Sequence, residues 1–136
     1  MPKWLNGCLS LASSESDTMK PEMELHCASR AFDYCEIGRL EQERYVCMSE
    51  LAAHLEAEIE ERLPLLTSYT SLTGFKKMRY ERGIAKLKNG DLPSCQHSWN
   101  TTECRAFQAV GRWLDVRGLS RLAGLPVGGL EVPDDE

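Results

Sequence analysis

The longest stretch of the chain with a single apolar period covers residues 40–63. Its apolar residues recur every three or four positions, which places them along one face of an α-helix: Cys47, Met48, Leu51, Ala52, Leu55, Ile59 and Leu63. The opposite face is rich in glutamate. No glycine or proline interrupts the run before Pro64, which disfavours helix in the residue ahead of it. The pattern therefore predicts a surface helix over 40–63 that turns its apolar side inward.

Three further segments have helical spacing and predict helices over 21–37, 75–88 and 101–117. Asn100 followed by Glu103 has the spacing of a capping box, which marks the start of the last helix, and Gly118 is expected to end it. The expected buried stripes are Leu25, Ala28, Phe32 and Cys35; Tyr80, Ile84 and Leu87; and Cys104, Phe107, Val110, Gly111 and Leu114, with Trp113 beside the last. No segment alternates like a strand. The predicted fold class is therefore all-α, a small bundle of about four amphipathic helices.

The segments outside these helices set the expected domain limits. Residues 1–20 are predicted to be a flexible N-terminal segment, because residues 9–20 contain Ser, Asp and Thr without a period. Residues 21–124 should form a single helical domain, and residues 125–136 a Gly/Pro-rich acidic tail. A chain of 136 residues can build a core without metal or disulfide staples.

Charge and motifs narrow the function classes. The net charge of −5 argues against a general nucleic-acid binder, since neutralising phosphates requires a basic surface. No run approaches the roughly 18 apolar residues of a membrane span. The sequence has no phosphate-binding glycine loop, no HExxH and no GxSxG. We therefore expect no catalytic residues, no resident metal or other cofactor, and no membrane span.

Two predicted helices carry charge of opposite sign. The helix over 40–63 has an acidic outer face, and we take five of its glutamates as the predicted contact with a protein partner: Glu50, Glu56, Glu58, Glu60 and Glu61. The helix over 75–88 has a basic outer face that could contact nucleic acid through Lys76, Lys77, Arg79, Arg82 and Lys86. The edges of the two faces could also pair with each other across the bundle.

The six cysteines leave three alternatives open. They could be buried free thiols, or they could form disulfides among Cys27, Cys35, Cys47, Cys95 and Cys104, with Cys8 outside the core. We predict that at least two of those five lie close enough to be bridged. Alternatively, Cys95, His97 and Cys104 could bind zinc together with His26-Cys27 or Cys47.

The start of the chain bears on its compartment. It has one lysine and no apolar run of signal-peptide length, which favours a cytoplasmic protein. The residues Leu5-Asn6-Gly7-Cys8 resemble the end of a bacterial lipoprotein signal, and a serine-rich tether follows them. The alternative is therefore a periplasmic or secreted protein that is stapled by disulfides or anchored by lipid at Cys8.

One stretch resembles a known family. Gln96-x-x-Trp99 followed closely by Cys104, after a cysteine-containing amphipathic helix and a second helix, resembles the LprI-type lysozyme-inhibitor domain. The resemblance covers about half of the chain, with a shorter Trp-to-Cys gap and without the arginine between them. It implies a small secreted helical module that inhibits an enzyme by binding it.

These observations lead to one functional hypothesis and its alternatives. The chain is predicted to be a small acidic helical protein that binds a protein with a basic site, as an inhibitor, immunity factor or adaptor, and has no active site. The first alternative is the exported module resembling LprI-type lysozyme inhibitors. The second is a module that binds zinc or nucleic acid.

Overall fold

The computed structural model describes residues 5, 7–9, 20–36, 40–69, 71–90, 94–95 and 100–124. Four helices account for most of them: α1 (Lys20–Glu36), α2 (Glu41–Ser68), α3 (Gly74–Asn89) and α4 (Thr101–Ala123). Leu5 and residues 7–9 are also helical, and the described residues include no strand. The predicted all-α bundle is therefore confirmed. None of the helices described is both long and apolar enough to cross a membrane.

The core forms where α2 lies against α4. α1 packs on both of these helices, whereas α3 packs mainly on α4. Gly83 allows α3 to approach closely, because a Cβ atom added there would lie 2.6 Å from Cδ2 of Leu119. Most of the largest fully buried apolar side chains come from α2 and α4: Met48, Leu51, Leu55, Ile59, Leu66, Trp113 and Val116.

Helix α2 runs five residues beyond its predicted end at Leu63. Pro64 removes one backbone hydrogen-bond donor, but side-chain hydrogen bonds and burial stabilise the turn that follows. The Thr67 hydroxyl donates to the Pro64 carbonyl at 3.1 Å, and the Ser68 hydroxyl donates to the Leu65 carbonyl at the same distance. Burial of Leu66 provides the apolar gain that keeps this turn helical.

Helix α4 begins where it was predicted and ends six residues later than predicted. The Asn100 side chain accepts a hydrogen bond from the Glu103 amide at 2.9 Å, so the predicted cap is confirmed. Gly118 does not end the helix, because Leu119 and Ala123 continue its buried face. The end comes at Gly124, whose φ of 72° is the left-handed conformation that glycine adopts without steric cost.

Two expectations about burial need correction. Leu5 and Leu9 lie within the core and are each 1% exposed, so the domain includes part of the segment predicted to be flexible. Leu25, expected on the inner stripe of α1, is instead 52% exposed, because Glu24 occupies the inward position. Residues 1–4, 6 and 10–19 and the tail 125–136 lie outside the described residues.

Candidate binding surfaces

All six cysteines are joined in disulfides. Cys8 bonds to Cys27, Cys35 to Cys47, and Cys95 to Cys104. The prediction that cysteines lie close enough to be bridged is confirmed for all of Cys27, Cys35, Cys47, Cys95 and Cys104. The placement of Cys8 outside the core was wrong, because Cys8 is half-buried and is bridged to α1.

The disulfides remove three alternatives. The cysteines are not free thiols, since each sulfur is already bonded to another. Zinc binding by Cys95, Cys104 or Cys47 needs thiolates that this arrangement does not provide, and no group of metal-ligating side chains occurs among the described residues. Cys8 cannot carry a thioether-linked lipid while its sulfur is in a disulfide. His97 lies outside the described residues.

Two of the five predicted contact glutamates are used inside the molecule. Glu56 accepts two hydrogen bonds from Arg105 of α4, from Nε at 3.1 Å and from Nη2 at 2.6 Å. These bonds, together with the charge of Glu56, raise the pKa of Arg105. Glu58 accepts a hydrogen bond from Arg117 Nη1 at 3.2 Å and lies 3.6 Å from Arg62 Nε. These two glutamates therefore fix α2 against α4.

Arg117 is the centre of a buried ion network. It is 1% exposed, and its Nε donates to Glu24 Oε2 at 2.6 Å. Arg121 also donates to Glu24. The guanidinium of Arg117 lies 4.8 Å from the centre of the Trp113 ring, close enough for a cation–π contact. Burial lowers the pKa of Arg117, while Glu24 and then Glu58 act in the opposite direction and keep it charged.

The other three predicted glutamates face outward. Glu50, Glu60 and Glu61 are exposed, and none of them forms an ion pair with another residue in the described part of the chain. Ala53 and Ala57 lie exposed between them, so the backbone there is open to close approach. We call Glu50, Glu60 and Glu61 the acidic strip. At 1.5 Å of rise per residue it extends over roughly 16 Å of α2.

The basic residues of α3 are exposed as predicted, but the expected pairing with α2 is not what the structure shows. Lys86 instead lies 3.4 Å from Asp115 of α4, and Lys77 lies 3.9 Å from Glu81 within α3. The charges of α2 and α3 both pair with α4, because α4 lies next to each of them. Lys76, Arg79 and Arg82 are exposed and have no ion pair among the described residues.

A cleft of about 420 Å³ lies between α3 and the end of α2. Its apolar lining includes Leu66, Leu72 and Ile84, and its polar lining includes Lys77 and Lys88. Tyr80 is buried beside the cleft, and its hydroxyl donates to the Leu66 carbonyl. Burial raises the pKa of Tyr80, and the neighbouring Tyr69 adds to this effect. The volume falls within the range of small-molecule sites.

A pair of carboxyl groups lies where the end of α1 meets the start of α4. Burial raises the pKa of Glu36, and the neighbouring Glu103 raises it further. Asp33 acts in the same direction, and Arg44 acts in the opposite one. These groups lie in and around a small recess of about 110 Å³. Glu36 and Glu103 therefore bring two carboxyl groups together where these helix ends meet.

Sequence reasoning found the acidic and basic surfaces but missed their internal partners. Arg105, Asp115 and Arg117 were not singled out, although Arg117 falls four residues after Trp113 and so lies on the same helix face. Gln96 and Trp99, on which the resemblance to LprI-type inhibitors rests, lie outside the described residues. Comparisons with protein-family models, with curated proteins and with solved structures found no match.

Proposed function

We propose that this chain is a disulfide-stapled helical binding protein, and that the acidic strip contacts a basic site on a protein partner. The observation that supports this most is the division of the α2 glutamates. Glu56 and Glu58 are neutralised by arginines of α4, whereas the three glutamates of the acidic strip stay exposed without a described ion partner. Unpaired charges of one sign attract an oppositely charged site and speed the encounter.

The disulfides favour the exported form of this proposal. Three structural disulfides are typical of secreted and periplasmic proteins, because cytosolic thiol systems keep such cysteines reduced. The disulfides therefore support the alternative location, an oxidising compartment such as the periplasm or the cell exterior. A protein that inhibits an exported basic enzyme would account for both this compartment and the acidic strip.

The test uses two basic exported proteins, lysozyme and ribonuclease A, immobilised as probes. Lysozyme comes first because the stretch Gln96-x-x-Trp99 resembles a lysozyme-inhibitor family. We expect association with at least one of them at low salt. Reversing the acidic strip (Glu50→Lys, Glu60→Lys, Glu61→Lys) should slow association by about tenfold and flatten its salt dependence, since exposed charges act mainly on the association rate.

A control variant separates the strip from net charge. Glu22, Asp33 and Glu81 are also exposed, and changing all three to Lys alters the net charge by the same amount on other helices. This control should keep most of the parent rate. Equal slowing by both variants, or no binding of the parent protein to either probe, would contradict the proposed role of the acidic strip.

A further inference from the structure

The outward face of α3 combines apolar and basic side chains that no other part of the described fold covers. Phe75 is 73% exposed and Met78 is 57% exposed. Met78 follows Phe75 by three residues, Arg79 follows Phe75 by four, and Arg82 follows Met78 by four. The four side chains therefore form one contiguous surface. We call these four residues the α3 face. Tyr80 and Leu87 are buried on the opposite side and hold the helix to the domain.

The charges of the α3 face are available to a ligand. Lys77 and Lys86 already have acidic neighbours, but Arg79 and Arg82 have no ion pair among the described residues. The whole helix has six basic side chains against Glu81 alone. A surface of this kind attracts phosphates although the chain as a whole is acidic, because charges separated by more than roughly 8 Å are largely screened at physiological salt.

We propose that the α3 face binds the surface of an anionic lipid bilayer. The two arginines would contact lipid phosphates, and Phe75 and Met78 would enter the boundary between headgroups and acyl chains. Both apolar side chains project from the same side of one helix, which is the arrangement of helices that lie in the membrane interface. The helix needs no refolding for this contact, since its inner side is already packed on α4.

Lipid fits this face better than nucleic acid. The ring of Phe75 could stack on a nucleic-acid base, but Met78 has no planar group for stacking. Binding of nucleic acid would therefore not explain why Met78 is exposed. The three disulfides also favour an oxidising compartment, where membrane surfaces are present and nucleic acid is scarce. The proposal is independent of the acidic strip, which lies on another helix.

The test is sedimentation of the intact, oxidised protein with vesicles. We expect partition to vesicles of phosphatidylglycerol and phosphatidylcholine in equal parts, with little partition to phosphatidylcholine alone. Arg79→Gln with Arg82→Gln should weaken partition to the anionic vesicles by roughly tenfold. Added salt should weaken the partition of the parent protein in the same way. Phe75→Ser with Met78→Ser should weaken it by at least about tenfold without changing the salt dependence.

Matched variants check that the effect belongs to this face. Arg30 and Arg44 are exposed on α1 and α2, and changing both to Gln removes the same charge elsewhere. Circular dichroism confirms that each variant is folded. Equal partition to neutral and anionic vesicles would overturn the proposal, as would equal weakening by the control. A mobility shift with a 20-nucleotide DNA, without vesicle binding, would assign the face to nucleic acid instead.

Discussion

At the scale of single residues, the core departs from a simple separation of apolar and charged side chains. Trp113 is fully buried, although it was expected only beside the buried stripe of its helix, and Phe107 and Leu114 of that stripe are partly buried. The inward face of α4 also includes small residues and Arg117. A guanidinium is tolerated there because two carboxylates and an aromatic ring replace the water that it loses.

Removing the charge of Arg117 should therefore cost far more than removing an exposed one. Arg117→Met leaves Glu24 buried with only Arg121 beside it, and we expect a loss of about 3 kcal/mol of unfolding free energy. Arg105→Met breaks an ion pair that is largely exposed, and should cost less than about 1 kcal/mol. Urea titrations followed by circular dichroism compare the two variants. Similar costs for both would mean that the buried network does not stabilise the fold.

At the scale of elements, the sequence predicted the existence of the four helices but not all of their ends or faces. The apolar period and the end signals were sufficient to predict both ends of α3, and its predicted stop at Asn89-Gly90 matches the left-handed conformation of Gly90. The ends of α2 and α4 depended on the burial of Leu66 and Leu119 against other helices, and local signals such as Pro64 do not report burial. Internal ion pairs depend on the packing of distant segments. The sequence therefore could not separate Glu56 from Glu60.

The Glu36 carboxyl group, at the end of α1 and close to α4, gives a prediction for pH. Because the pKa of Glu36 is raised in the folded protein, folding takes up protons at this group. The stability from Glu36 is then fully present below the ordinary pKa of 4.5 and is lost as the pH rises through the raised value. Glu36→Gln should raise Tm at pH 7 and lose this advantage near pH 4.

Thermal unfolding of parent and variant across this pH range checks the sign. Glu50→Gln, at an exposed position of the acidic strip, controls for the loss of one negative charge. A Glu36→Gln variant that is less stable than the parent at pH 7 would show that the Glu36 carboxylate is favourable in the fold. The effect of Arg44 would then outweigh burial and the neighbouring carboxyl groups.

At the scale of the whole molecule, the disulfides attach segments to the bundle that the helical pattern did not include. The Cys35–Cys47 bond closes the connection between α1 and α2, and the Cys95–Cys104 bond ties residue 95 to the first turn of α4. The Cys8–Cys27 bond has a different effect. It ties residues 7–9 to α1, and the nearby Leu5 and Leu9 are buried in the core. Cysteine number was visible in the sequence, but the pairing depends on which helices pack together.

Removing the Cys8–Cys27 bond should therefore release the N-terminal segment. Closure of a loop with a separation of 19 residues contributes about 3 kcal/mol in the chain-entropy model. We expect Cys8→Ala with Cys27→Ala to lose about that much stability and to speed amide exchange of residues 7–9. Cys95→Ala with Cys104→Ala removes a bond of separation 9 and should leave that exchange unchanged. Alkylation of Cys8 in the native protein without reductant would contradict the bond, and the domain would then begin at α1.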